Sequence, residues 1–169
     1  MKYVLLVVLI CIGFPTLGQS MKTTAQQKMA PLSWLIGEWS GEGSMTMREK
    51  KSFKQKETIE MILNGTAIQL KGVGFAGKDT VHEAFAIFYW DLQTQSYKMA
   101  SFTGDGRNTV ADAVVENNKL IWRLKIRDGN FIKYTIWQNE KKQWVETGEM
   151  EKEDGKSGTP FFEMTLTRK

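Results

Sequence analysis

One histidine, His82, and one cysteine, Cys11, are all this 169-residue chain offers as imidazole base or thiol nucleophile. A hydrolytic triad needs an acid, a base and a nucleophile held together. His82 is the single candidate base, and its neighbour Glu83 belongs on the opposite face of a strand, so no triad and no enzymatic activity are read here. Metal sites gather several histidine, cysteine or carboxylate ligands in one place. Asp79, Asp105 and Asp128 all fall in turn sequences, where aspartate is favoured by the backbone alone, and neither a metal nor another cofactor is called for. What remains is binding chemistry. Met45, Met61, Met99 and Met164 suit the adaptable lining of an apolar pocket and suit ordinary core filling equally well. Phe88 and Trp122 add aromatic surface, and His82, Tyr97 and Tyr134 are the candidate polar handles.

These residues need walls to stand on, and the sequence supplies strands. Residues 31–37 begin with proline and stop at glycine, as one short helical turn does. From Trp39 onward the period becomes two, and about ten alternating segments follow. They are joined by turn sequences such as Asn64-Gly65, Gly104-Asp105-Gly106 and Asn117-Asn118. Short joints make successive strands antiparallel neighbours. The predicted fold is all-β, a single antiparallel up-and-down barrel of about ten strands with a short N-terminal helical turn, closed so that no edge stays open. Leu120, Trp122 and Leu124 alternate with Ile121, Arg123 and Lys125, which turns the first set inward because unpaired cations are costly to bury. The same reasoning turns Ile132, Tyr134 and Ile136 inward, and likewise Phe162, Met164 and Leu166. Strands two, five and nine carry mixed residues on both rows and resist assignment. Strand four is apolar on both rows, so its second row, Phe85, Ile87 and Tyr89, needs a cover: a second subunit, giving a homodimer, or the N-terminal helix.

The first 18 residues have the layout of a signal peptide, with Lys2, an apolar run over 4–14 and Thr16-Leu17-Gly18 before the cut. Residues 19–30 read as a flexible lead-in and 31–169 as the barrel domain. The expected location is periplasmic or secreted, with no membrane partner once the leader is gone. Cleavage removes Cys11, and with it any disulfide or thiolate chemistry. It also removes Lys2, which lowers the formal charge from +4 to +3, too little and too scattered to argue for nucleic acid.

Gly37-x-Trp39 on the first strand, with Thr165-Leu-Thr-Arg168-Lys169 ending the last, resembles the structural signature of the calycin superfamily. That resemblance implies a barrel whose tryptophan packs at the closed end beneath a basic side chain, here Arg168. The opening Trp34-Leu-Ile-Gly37-Glu-Trp39-Ser-Gly41-Glu-Gly43 is similar to that of nitrobindin, a ten-stranded haem-binding barrel. The stretch from Tyr89 through Tyr97 to Asp105 is closer to a lipocalin-like family of bacterial domains of unknown function.

The nitrobindin likeness implies a haem held through a histidine near the chain end on a pocket-facing strand. Here the last strand carries Phe161-Phe162-Glu163-Met164 instead, leaving His82 on another strand, or Met164, as the remaining ligands. The leading expectation is an exported module that holds a small apolar or amphipathic molecule. The alternatives are a haem barrel, and a filled barrel acting through its outer surface as a dimer.

Overall fold

The computed structural model describes residues 17–126, 129–152 and 158–169. Ten strands follow in sequence: β1 (Gly37–Thr46), β2 (Lys50–Ile62), β3 (Ala67–Ala76), β4 (Asp79–Asp91) and β5 (Ser96–Thr103). Then come β6 (Asn108–Glu116), β7 (Lys119–Lys125), β8 (Phe131–Gln138), β9 (Trp144–Glu151) and β10 (Thr159–Arg168). Each pairs antiparallel with the next, and β10 pairs with β1, so the sheet closes into the expected up-and-down barrel.

The register fixes the inward rows. On β1 these are Trp39, Gly41, Gly43 and Met45; opposite them on β10 stand Arg168, Leu166, Met164 and Phe162. The row continues through Phe53, Gln55, Glu57, Ile59 and Met61 on β2 to Gly74, Gly72, Leu70 and Ile68 on β3. On the far wall Tyr134 pairs with Trp122 and with Gly148, and Ile136 pairs with Glu146.

One end is filled by Met29, Leu32, Leu35, Trp39, Ile59, Ile68, Phe88, Trp144 and Leu166, all at most 2% exposed. Arg168 crosses the Trp39 ring with its guanidinium carbon 4.6 Å from the centroid and donates to the Trp34 carbonyl. The Trp39 indole Nε1 donates to the Leu35 carbonyl at 2.7 Å. Gly37 carries φ +131° under the Arg168 side chain, a conformation that side chains rarely adopt.

The N-terminal segment differs from what its sequence predicts. In place of a flexible lead-in over residues 19–30, helix α1 (Leu17–Met29) runs through them into a 3-10 turn at Ala30–Leu35. Its polar composition hides the reason: Ala25 and Met29, four residues apart on one face, are buried against the barrel end. Tyr97 Oη donates to the Lys28 carbonyl at 2.7 Å, and Lys28 Nζ lies 4.4 Å above the Trp90 ring. The proposed leader falls mostly on residues 1–16, outside the described residues.

These anchors tie α1 to the inward row at the closed end. The outer row of β4 is a different matter: Phe85, Ile87 and Tyr89 stay half-buried, and their neighbour Phe102 is 52% exposed.

Candidate functional site

The lumen between the plug and the opposite mouth is the site that the fold builds. Its far wall is aromatic. Trp122 stacks on Tyr134 with centroids 4.2 Å apart, Tyr134 meets Phe162 edge-on at 5.7 Å, and Phe162 stacks on Phe53 at 5.9 Å. Gly148 stands between Tyr134 and Phe162 on β9, where a Cβ would come within 2.9 Å of the tyrosine ring. Trp122, Leu124, Ile132 and Tyr134 all point inward yet are only half-buried. In a closed wall, an inward side chain is exposed to the lumen.

Two acids and an amide join the lumen lining: Gln55 and Glu57 on β2, and Glu146 on β9 within the aromatic wall itself. Gln55, 5% exposed, donates through Nε2 to Glu57 Oε1 at 2.7 Å. A Cβ on Gly72 of the neighbouring strand would lie 2.5 Å from the same Glu57 oxygen, so glycine there makes the room the carboxyl occupies. Glu146 on β9 is 8% exposed and forms no ion pair among the described residues. Burial pushes Glu57 up to about 7, partly offset by Gln55. Burial pushes Glu146 up to about 8, and the Glu57 charge adds to the rise. The two acids titrate as a coupled pair, in which the first charge formed opposes the second. The Trp144 indole lies near enough to lower Glu146 slightly, yet its buried Nε1 makes no hydrogen bond of acceptable geometry. Burial raises Tyr134 as well.

The candidate residues named from sequence divide between plug, lumen and mouth. Phe88 and Met99 belong to the closed-end core, with Met61 packed against it. Tyr97 is committed to α1 through its hydroxyl. Trp122 and Tyr134 line the lumen, and Met164, 5% exposed, lies between Gly43 and Glu146. Met45 stands at the mouth, 38% exposed.

His82 is also at the mouth, in a hollow of about 310 Å³ with Thr80, Thr103, Asp105 and Arg107. Partial burial and then the Arg107 cation hold its pKa below the ordinary imidazole value, against the opposing Asp105. Asp105 itself is committed to Arg107 and Thr103. A second hollow, of about 430 Å³, lies on the outer wall over Lys71, Val73, Glu83, Phe85 and Phe102, away from the lumen.

Gln55, Glu57 and Glu146 are not singled out by residue type and spacing alone. A signal for them is nonetheless present: Phe53, Ile59 and Met61 are apolar at period two, and that row carries Gln55 and Glu57 inside with them. Trp144, Gly148 and Met150 do the same for Glu146 on β9.

A closed ten-stranded wall whose inward-facing Trp122 and Tyr134 stay half-exposed defines a lipocalin-like, calycin-type barrel. The chain belongs to the family described as the THAP4-like, heme-binding beta-barrel domain, whose model matches residues 28–154. Among solved structures it is similar to Rv2717c from M. tuberculosis, with TM-score 0.59 and 12% identity over 86% of this chain and 97% of that one. It is also similar to the S-type phycobiliprotein lyase CPES from Guillardia theta, with TM-score 0.57 and 9% identity over 92% and 98% of the two chains. At such identities the likeness speaks for the fold alone. No curated protein matches in sequence.

The residues present do not fit a haem. An axial ligand must reach the iron from the lumen wall. The matched segment stops before β10, and that strand offers Phe162, Met164 and Leu166 inward where nitrobindin-type sites place an imidazole. His82, the one histidine, stands at the rim beside Arg107. Met164 is packed against the seam, and the deep lumen presents carboxyls toward any apolar macrocycle face.

Proposed function

We propose that this protein is an exported binding module that holds a small apolar or amphipathic molecule in its lumen and does not transform it. The half-exposure of inward-facing Trp122 and Tyr134 carries the reading, because a lumen packed solid would bury both. Aromatic walls with a few placed polar groups are the usual lining of a small-molecule site. The family description supports a ligand-holding barrel, and the ligand here is assigned as something other than haem. Native mass spectrometry of protein purified from its source tests the proposal. A retained small molecule whose addition alters Trp122 fluorescence supports it; a lumen that takes up neither that molecule nor apolar dyes defeats it. Adding haemin should leave the Soret band of free haemin unshifted, in the unaltered protein and in His82→Ala alike.

Export rests on the sequence of the first 18 residues, and N-terminal sequencing of the protein from a fractionated culture tests it. A cytoplasmic chain that still begins at Met1 refutes it. A second reading rests on the outer wall, where Phe102, Phe85 and the adjoining groove would suit a second copy of the chain. Sedimentation at rising concentration decides, since a strict monomer removes the homodimer.

A further inference from the structure

We propose that the lumen selects an organic cation, with its protonated or quaternary nitrogen at Glu57 and Glu146 and its apolar body along Trp122, Tyr134 and Phe162. This inference rests on the lumenal reading above and adds the charge of the occupant.

The charge balance of the inward rows is the first ground. Between Arg168 at the closed seam and Lys51 and Arg107 at the mouth, no lysine or arginine stands on an inward row among the described residues. Two carboxyls therefore share the mid-barrel with one amide, Gln55, as the sole side-chain donor that reaches either of them with good hydrogen-bond geometry among the described residues. Acids buried inside a protein are normally matched by a cation or a set of donors. Glu146 has no cation, and its one neighbouring donor, the Trp144 indole, is poorly aligned, although the acid is more than nine-tenths buried.

The second ground is a buried donor next to the acids. The Trp144 Nε1, on a residue 2% exposed, has no partner, and it lies beside Glu146. Unsatisfied buried donors are rare in folded chains and call for an outside partner such as a water or a ligand; Trp90 Nε1, in the plugged end, is the other among the described residues. The indole is suited to an oxygen on the occupant or to a bridging water.

Aromatic geometry supplies the third. The rings of Trp122, Tyr134, Phe162 and Phe53 run continuously along the wall, and ring faces attract cations through their quadrupoles. Carboxylates together with ring faces favour positive charge, and both disfavour an anion such as a fatty acid. Gly72 leaves the space that Glu57 fills, so the acid is accommodated by the backbone of β3. The raised pKa values of both acids agree with a pair lacking its counter-ion. A bound cation would favour the ionised pair, so binding should release protons near neutrality. The titratable groups facing this pair are Tyr134 within the lumen and His82, Lys51 and Arg107 at the mouth.

Calorimetric titration with 3-phenylpropylamine, 3-phenylpropanol and 3-phenylpropionate varies the charge on one apolar body. At pH 8 the amine should bind at least tenfold more tightly than the alcohol, and the carboxylate most weakly. Glu57→Gln and Glu146→Gln should each bring the ratio of amine to alcohol affinity down from at least tenfold to within about threefold. Circular dichroism confirms that each variant folds, and the charge series on the unaltered protein stands without any variant. Equal affinity for all three probes overturns the inference and leaves the lumenal container intact. Tightest binding of the carboxylate also overturns it. Absence of any binding, with no displacement of an apolar dye, overturns both.

Discussion

Replacing Glu146 by glutamine keeps the shape of the side chain and removes its titration, which turns a buried acid into a measurable stability difference. Below about pH 4.5 the carboxyl is protonated in folded and unfolded chains alike, and variant and parent should be nearly equal. As pH rises through 4.5, the unfolded chain releases this proton while the folded chain keeps it until about 8. The folded state then binds more protons than the unfolded one, so the free energy of unfolding falls across that window. At about 1.4 kcal/mol per pKa unit, the rise from 4.5 to about 8 amounts to a penalty of about 5 kcal/mol, fully developed by pH 9. Glu146→Gln should remove most of it. Urea unfolding followed by tryptophan fluorescence at pH 5, 6, 7, 8 and 9 measures the effect. With m near 1–3 kcal/mol/M, the variant midpoint should exceed the parent's by about 2 M or more at pH 9 and by less than about 1 M at pH 5. A residual slope between pH 4.5 and about 7 should persist, because Glu57 is still present. Parallel parent and variant curves from pH 5 to 9 would mean that Glu146 titrates as an exposed acid and that its burial costs nothing.

Other perturbations address the frame around the site. Arg168→Met removes the cation over Trp39 and the hydrogen bond to Trp34, and should lower stability by about 1–2 kcal/mol, read as a drop in Tm. Gly72→Ala places a Cβ against the Glu57 carboxyl and should cost about 1–3 kcal/mol at pH 6; the same change in a Glu57→Ala background should cost clearly less. Tyr97→Phe deletes the bond to the Lys28 carbonyl and should cost about 1 kcal/mol while speeding proteolysis within Leu17–Met29.

Much of the fold is legible in the sequence because a strict period of two leaves little choice. The rows of β7, β8 and β10 carry arginine, lysine or glutamate on one side and large apolar residues on the other, so their faces are fixed by the cost of burying charge. The same rule conceals the site. Gln55, Glu57 and Glu146 break it, and a row containing both Ile59 and Glu57 leaves its direction undecided when polar residues are assumed to face water. What exposes them is the apolar company on their row, together with the small residues Gly72 and Gly148 placed next to them. Helix α1 is illegible for a different reason: it buries a narrow face of Ala25 and Met29, and its other residues are polar. Tyr97 and Phe88 suit a pocket on composition alone, but the depth at which strand ends are plugged depends on α1, whose sequence gives no sign of a helix.

The pairing of β1 with β10 has a bearing on how the chain reaches its native state. Strand β1 finds β2 as soon as both are synthesised, but its other neighbour is formed by Thr159–Arg168, the last strand made. Until that strand emerges, β1 and β9 each present an unpaired edge, the surface most prone to join another chain. Contacts so distant along the chain form slowly because a long loop must close before they contribute. Loss of that strand should therefore yield an aggregating product rather than a smaller barrel, and a growing chain must be kept apart from its copies until the closing strand arrives.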